Sequence, residues 1–512
     1  MKRSVVTTTD PADVFVQLYD HVPAVVFRRD ALDAWFREPS FWRIADSVTD
    51  ACVTDGVLDP DWISDLVAEG ERSELAVLAG IDEALTVVSP WSPASQQGKL
   101  VWMWQRYIEH GRLNLRTDGA LLPRRSYPAR PMSGKEKNDY FRVVWVSGEI
   151  WMTDYVNRVL ASDKDRRMAP DVPVRVAFVP VLGCYADMQI DLFDDDRGRM
   201  RYSVAPRPTV RERLRDILCA LDGSGAQLAI LPEGCLSDEI YKEWCRLLKD
   251  TQPGPRSPCQ LKYLLLGSGP VGVPGNRAIL VNRKGKELLR QDKLADFTLT
   301  DFQVVTWGIP DPPEKATRPG TNLFEDIPRD VTFFTLDGFL GRMAVLVCES
   351  LSRWPGGRHS EIVEPGPSHI LAPVFSKPVR RDGWERIVSD QLANLVGSWV
   401  MVSNSLVTAT ELRTRGEEAG FSCLVAGPWG GSRSRYDLTL MFGSSADHLS
   451  VAEVQDRHVA TQADDDRDEE LAKPADDEAT ESPLPFVRSA FVSADCFPEL
   501  TSRPPRSVPE QR

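Results

Sequence analysis

Three polar residues stand at the ends of expected strands: Glu233 after LAILP, Lys293 after ELLRQD, and Cys348 after MAVLV. A thiol has a reference pKa of roughly 8.5, so at neutral pH its sulfur needs a base or a nearby cation before it attacks. A carboxylate such as Glu233 removes that proton, and an ammonium such as Lys293 holds the negative oxygen of a tetrahedral adduct. The backbone N–H of Glu349, next after the sulfur, is a second donor to that oxygen, worth on the order of 3 kcal/mol. The reaction open to such a set is acyl transfer through a thioester.

Singly, each residue has an ordinary reading. Cys348 is a core thiol, since free cysteine is among the most buried residues; Glu233 before Gly234 is a turn residue, and Lys293 a solvated charge. Their joint occurrence at strand ends points to chemistry, because in α/β sheets the side chains leaving those ends collect in one crevice. Arg353 and Trp354 are candidates for the mouth of that crevice. His359 and His369 raise a Cys–His hydrolase as a competitor, but His359 lies in the glycine-rich loop WPGGRHS and His369 starts a strand far from where Cys348 ends one.

The elements that must hold these residues alternate. VRVAFVPVL (174–182) reads as a buried strand, TVRERLRDILCALDG as an amphipathic helix stopped by Gly223 or Gly225, AQLAILPE as a strand, and 237–250 as a helix. Strand YLLLGSG and a hairpin AILVNRKGKELLRQDK, turning at Lys284-Gly285, come next. They are followed by VTFFTLDG, a turn at Asp337-Gly338, GRMAVLVCE, HILAPV, the helix WERIVSDQLANLVG, and strands WVMVSNS and FSCLVAG. The mixture predicts a layered α/β domain over 171–455.

Residues 1–170 carry eight of the fourteen Trp, and segments such as DPDWISDLVAEG and WMTDYVNRVLAS have helical apolar spacing. This block is predicted to be a mostly helical domain with Trp as packing anchors, and it offers a surface to a protein partner. The tail, 456–512, is acidic and contains proline; it is predicted to be largely disordered, with FVRSAFVSADCF apolar enough to dock on the body or on a partner.

Composition removes several classes. Of the formal net charge of −14, the segment from Asp464 to Glu481 supplies −8, with ten acids against Arg467 and Lys473. No basic block marks a nucleic-acid site. No stretch approaches the roughly 20 apolar residues that span a bilayer and no signal-type segment opens the chain, so it is read as soluble and cytoplasmic. Nine cysteines without regular spacing do not read as a disulfide framework or a zinc site. DDDRDEE lacks the glycine and terminal glutamate of a calcium loop.

The strings LAILPE, QDK and VLVCES, in that order, resemble the carbon-nitrogen hydrolase (nitrilase) superfamily, whose members carry a Glu, Lys, Cys set at similar strand ends. WERIVSDQLANLVGSWVMVSNS and GFSCLVAGPWGG are similar to the family's segments after the nucleophile, so the likeness runs over about 172–445. It implies a four-layer α-β-β-α sandwich and hydrolysis of a non-peptide C–N bond, amide before nitrile. Cys348 would be the nucleophile, Glu233 general base and acid, and Lys293 with the Glu349 amide the oxyanion donors. No metal or organic cofactor is implied, and self-association as a homodimer through this domain is. Family members add a second glutamate past the lysine, and in the aliphatic amidase pattern that position is Asp301 here. Two pairs depart from the family: Gln291-Asp292 before the lysine and Glu349-Ser350 after the cysteine.

Two other functions use the same residues. One is a sensing or scaffolding module that keeps a residual ligand site, motivated by the unmatched first 170 residues, the tail and the altered neighbours of the trio. The other is acyl transfer to an amine in place of water; its membrane-bound form is excluded by the lack of spanning segments. Substrate identity rests on loops such as GIPDPPEKATRPGTN (308–322), whose shape sequence does not fix.

Overall fold

The computed structural model describes residues 6–27, 29–86, 99–124, 141–153, 155–160, 174–254, 259–272, 275–306, 314–329, 331–353, 362, 364–380, 382–408, 421–427, 439–444, 450–454 and 489–491. The expected domain boundary near residue 170 and most of the tail lie outside these residues, as do Trp354 and His359.

Helices open the chain: α1 (Pro11–His21), α2 (Arg29–Phe36), α3 (Pro39–Asp55), α4 (Pro60–Ala68), α5 (Glu71–Thr86) and α6 (Val101–His110). Asp10 and Asp59 cap α1 and α4 by accepting first-turn N–H groups, each with Pro at the first helical position. Trp35, Trp62, Trp102, Trp104 and Trp145 pack against the core as expected, whereas Trp42 is 46% exposed.

Strands enter earlier than the helical spacing suggests. β1 (Gly119–Pro123) pairs antiparallel with β2 (Val143–Ser147). WMTDYVNRVLAS, expected to be helical, instead splits into α7 (Gly148–Thr153) and β3 (Tyr155–Val159). Tyr155 and Asn157 are buried while Val156 and Arg158 are exposed, the period of two that a pleated strand imposes.

Next come β4 (Val174–Phe178), β5 (Met188–Asp194), β6 (Met200–Pro206), α8 (Leu214–Gly223), β7 (Leu228–Ile230), α9 (Asp238–Asp250) and β8 (Tyr263–Pro270). β9 (Asn276–Asn282), β10 (Glu287–Asp292), β11 (Thr298–Thr300), α10 (Asp301–Thr306) and β12 (Asn322–Glu325) follow. The chain goes on through β13 (Phe333–Gly338), β14 (Gly341–Val345), α11 (Glu349–Ser352), β15 (His369–Val374), α12 (Trp384–Val396) and β16 (Trp399–Asn404). β17 (Phe421–Gly427), β18 (Thr439–Ser444), β19 (Ser450–Val454) and β20 (Ser489–Phe491) complete it.

Two seven-stranded sheets result, with orders β10-β9-β8-β7-β4-β19-β20 and β18-β17-β16-β15-β14-β13-β3, beside a four-stranded sheet β11-β12-β6-β5. The fold is therefore mixed α/β. β3, from the block expected to be helical, lies parallel beside β13, and β20, within FVRSAFVSADCF, pairs with β19.

Strands of the first sheet are apolar on both faces because both are covered. In β8, Tyr263 and Leu265 join the core shared with the second sheet, while Leu264 and Leu266 join a second core with α8 and α9. β9 alternates in the same way, Ala278 and Leu280 against Ile279 and Val281.

The shared core continues into the first helices and is pinned there by a polar cluster. Arg342 and Asp337, each 0% exposed, pair at 3.0 Å, and the Tyr107 hydroxyl donates to Asp337 while accepting from Arg342 at 3.2 Å. That ion pair also moves a turn. The hairpin expected to turn at Asp337-Gly338 keeps both residues in the ladder, with Gly338 opposite Gly341, and turns at Phe339-Leu340 instead. Asp337 is held in the strand by the guanidinium opposite it.

Among the described residues, no helix is long and apolar enough to cross a membrane.

Candidate active site

Glu233 stands three residues beyond β7 and bridges to Ser268. The approach depends on Gly267, whose φ of +75° sits where β8 is irregular between Leu265 and Ser268. A Cβ there would overlap the Pro232 carbonyl oxygen and the Cys235 sulfur, so glycine alone lets the Glu233 segment close on β8. Lys293 follows β10 directly and is fixed by its N–H on the Asn276 carbonyl at 2.9 Å.

Cys348 lies past the end of β14 at a sharp bend, with φ 43° and ψ −103°. It is the sole non-glycine with positive φ among the described residues. Such a backbone costs about 1–3 kcal/mol and is held by its surroundings. Here the Cys348 N–H donates to Pro373 O at 3.0 Å, and its carbonyl accepts from Leu351 N at 2.8 Å.

These three side chains line one cavity of about 30 Å³ together with Ile190, Tyr202, Val204, Phe297, Leu299, Glu325 and Phe375. Lys293 Nζ donates to Glu233 Oε1 at 2.8 Å and to Glu325 Oε2 at 2.6 Å. Glu233 Oε2 accepts the Phe375 N–H at 3.0 Å, and Cys348 Sγ lies 3.9 Å from the carbonyl oxygen of the same residue. One residue's backbone thus joins the carboxylate to the sulfur.

Burial pushes the Cys348 thiol well above its ordinary pKa, the Glu233 charge pushes it further, and Lys293 opposes. The sulfur is accordingly protonated at neutral pH and needs a base at the moment of attack. Burial pulls the Lys293 pKa down, but Glu233 and Glu325 more than offset it, so the ammonium stays charged. Glu325 is raised by burial, with Lys293 opposing and Glu233 adding to the shift.

The other expected site residues fall as follows. The Glu349 side chain turns to Arg353 at 2.6 Å, and its N–H, at the start of α11, has no acceptor among the described residues. Asp301, expected as the second carboxylate, lies off the cavity wall. It opens α10, its N–H on Thr321 O at 3.1 Å, and it lines no part of the cavity. The physical reason is that β11 carries the chain away from Lys293, with Leu299 the last of its residues at the wall, and β12 returns to bring in Glu325. Arg353 is half exposed beside Glu349. His369 is buried in β15 against Ser368 Oγ at 3.0 Å and does not line the cavity.

Sequence reasoning missed Glu325, Asn276 and Ser350. Glu325 had one signal: in N-L-F-E it shares parity with Leu323, so an acid sits on the buried side of a strand. Asn276 Nδ2 lies 2.7 Å from Glu233 Oε1 and 2.7 Å from Glu325 Oε1. Ser350 Oγ accepts from Leu294 N at 2.9 Å and Ala295 N at 3.3 Å, tying the segment after Lys293 to the bend at Cys348.

No protein-family model and no curated protein matches the chain. Among solved structures it is similar to an amidase from Nesterenkonia sp., at 16% identity over 57% of this chain and 93% of that one, with TM-score 0.32. It is likewise similar to Saccharomyces cerevisiae Nit3, a member of branch 10 of the nitrilase superfamily, at 14% identity over 59% and 99%, with TM-score 0.32. A variant of the Nesterenkonia amidase carrying acrylamide added at its active site cysteine is similar at 16% identity over 53% and 92%, with TM-score 0.31. These similar structures are thus proteins of the nitrilase superfamily.

Proposed function

We propose that the chain is a carbon-nitrogen hydrolase of the nitrilase type, built on a four-layer α-β-β-α sandwich, that cleaves the C–N bond of a small uncharged amide through a thioester on Cys348. The observation that carries this reading is the meeting of Glu233, Lys293 and Cys348 at one buried cavity. Glu233 takes the Sγ proton as the sulfur bonds to the carbonyl carbon, and the carbonyl electron pair moves onto oxygen. Lys293 and the Glu349 N–H receive that oxyanion. Glu233 returns the proton to nitrogen as the C–N bond breaks, and ammonia or an amine leaves. Water then attacks the thioester, giving its proton through Glu233 to the departing sulfur, and the acid is released.

The wall of the cavity supports a small neutral acyl group. Apart from Glu233, Lys293, Glu325 and Cys348, it is Ile190, Tyr202, Val204, Phe297, Leu299 and Phe375. Lys293 is engaged by two carboxylates, so no described lining residue is a cation left to pair with a substrate carboxylate.

The test is ammonia release from straight-chain amides, acetamide to hexanamide, and from the matching nitriles. Turnover of a short amide that disappears in Cys348→Ala is expected. Turnover unchanged in Cys348→Ala, or none with any amide, would overturn the reading, and turnover of nitriles alone would overturn its choice of substrate.

A further inference from the structure

Asn276, at the start of β9, is the second donor between the two carboxylates that grip Lys293. Its Nδ2 is 2.7 Å from Glu233 Oε1 and 2.7 Å from Glu325 Oε1, and its backbone carbonyl takes the Lys293 N–H at 2.9 Å. The carboxamide fits only one way round: ionised carboxylate oxygens accept and do not donate, so the NH₂ end must face them. Its Oδ1 is then buried with no partner among the described residues. A buried acceptor left unpaired costs about 1–3 kcal/mol, a burden that a residue present only to fill space has no reason to carry.

Lys293, Asn276, Glu233 and Glu325 form a closed ring of two donors and two acceptors. Both donors of the ring meet Glu233 at Oε1. Oε2 receives only the Phe375 N–H, and the carbonyl oxygen of the same residue lies 3.9 Å from the sulfur. We propose that Asn276 is a positioning residue: by giving one N–H to each carboxylate it holds Glu233 Oε1 and Glu325 on Lys293 and so presents Glu233 Oε2 to the Cys348 sulfur. The assignment rests on the hydrolase reading above for its purpose, and on the ring alone for its geometry.

Donors to an ionised carboxylate favour the charged form. Removing Asn276 therefore raises the proton affinity of Glu325, in a setting whose other titratable and charged groups are Glu233 after β7, Lys293 after β10, Tyr202 and Arg201 on β6, Asp296 before β11, and Cys348. The acid limb of any reaction that needs Glu325 charged moves to higher pH.

The experiment follows alkylation of Cys348 by iodoacetamide from pH 5 to 9, read by peptide mass, in the wild-type chain, Asn276→Ala and the isosteric Asn276→Asp, with amide turnover alongside. Slowing at pH 7 by about 10- to 100-fold is expected in both variants, with the acid limb displaced upward by about one pH unit and kcat reduced more than KM is raised. If Asn276→Ala loses its thermal transition, Asn276→Ser, which keeps one O–H donor, is expected to fall between wild type and Asn276→Asp. Folded variants that alkylate with the wild-type rate and pH profile overturn the proposal. The alkylation arm needs no substrate, so it decides the role of Asn276 even where no amide turns over and the hydrolase reading falls.

Discussion

Lys293 Nζ lies 2.6 Å from Glu325 Oε2, so the lysine of the site answers to two carboxylates and not to Glu233 alone. Glu325 belongs to β12, in the four-stranded sheet, where β6 is its other neighbour. The small sheet supplies Ile190, Tyr202, Val204 and Leu299 to the cavity wall as well. It is therefore part of the site.

Glu325→Gln keeps the shape of the side chain and removes the charge that holds Lys293. Amide turnover is expected to fall by about 10²- to 10³-fold, the range for losing one fixed electrostatic contact at a reacting centre. Asp301→Asn, at the start of α10 and off the cavity wall, is expected to leave kcat/KM within about threefold. Steady-state kinetics of the two variants side by side decide between the two acids, and equal losses would contradict the assignment.

Lys293 is 1% exposed between two carboxylates, so Lys293→Ala leaves both of them buried without a cation. Denaturant unfolding at pH 7 is expected to show a loss of about 3–5 kcal/mol. The sign with pH follows from Glu325, whose folded pKa is raised by burial above its unfolded value. Such a group favours folding when protonated and loses that contribution as pH rises through the folded value. The deficit of the variant is therefore smallest near pH 4 and grows toward neutrality. A deficit that is constant from pH 4 to 7 would contradict the shared charge.

Much of this was legible in the residues themselves. Continuous apolar runs such as YLLLGSG announced strands covered on both faces, Gly285 at φ +74° closes the hairpin expected at Lys284-Gly285, and WERIVSDQLANLVG ends at Gly397 in the left-handed region. Glu233, Lys293 and Cys348 were legible because each closes an expected strand. Asp301 stands eight positions past Lys293 yet off the cavity wall that Glu325 joins, because distance along the chain is not distance in space. Glu325 reaches Lys293 only through the pairing of β12 with β11 and β6, and no local pattern encodes that. The strand YVNRV was hidden because its five residues lie inside a longer stretch with helical apolar spacing. It is fixed as a strand by its partner β13.

Val204 and Ile190 line the cavity from β6 and β5. Val204→Ala opens room for about two methyl groups, and one methylene in an apolar pocket changes kcat/KM by roughly 10- to 200-fold. The ratio of hexanamide to acetamide turnover is expected to rise by at least about 10-fold, with acetamide little altered. An unchanged chain-length profile would show that the hairpin does not set substrate size.

Tyr107 joins α6 to the second sheet through its buried hydroxyl, which accepts from Arg342 and from Asn157 Nδ2, both at 3.2 Å. Tyr107→Phe is expected to cost about 1–3 kcal/mol in denaturant unfolding, and Arg342→Met more, because it strands Asp337 in a fully buried setting. Tyr107→Phe with wild-type stability would mean that the cluster contributes nothing to the docking of the first helices.

The most direct measurement is intact mass of the chain, quenched in acid seconds after mixing with a short amide. A mass gain equal to the acyl group, mapped to the Cys348 peptide, removed by hydroxylamine and missing in Cys348→Ala, is the expected result. An amide that is consumed while Cys348 never gains an acyl group, or an acyl group mapped to another residue, would contradict covalent catalysis by this cysteine.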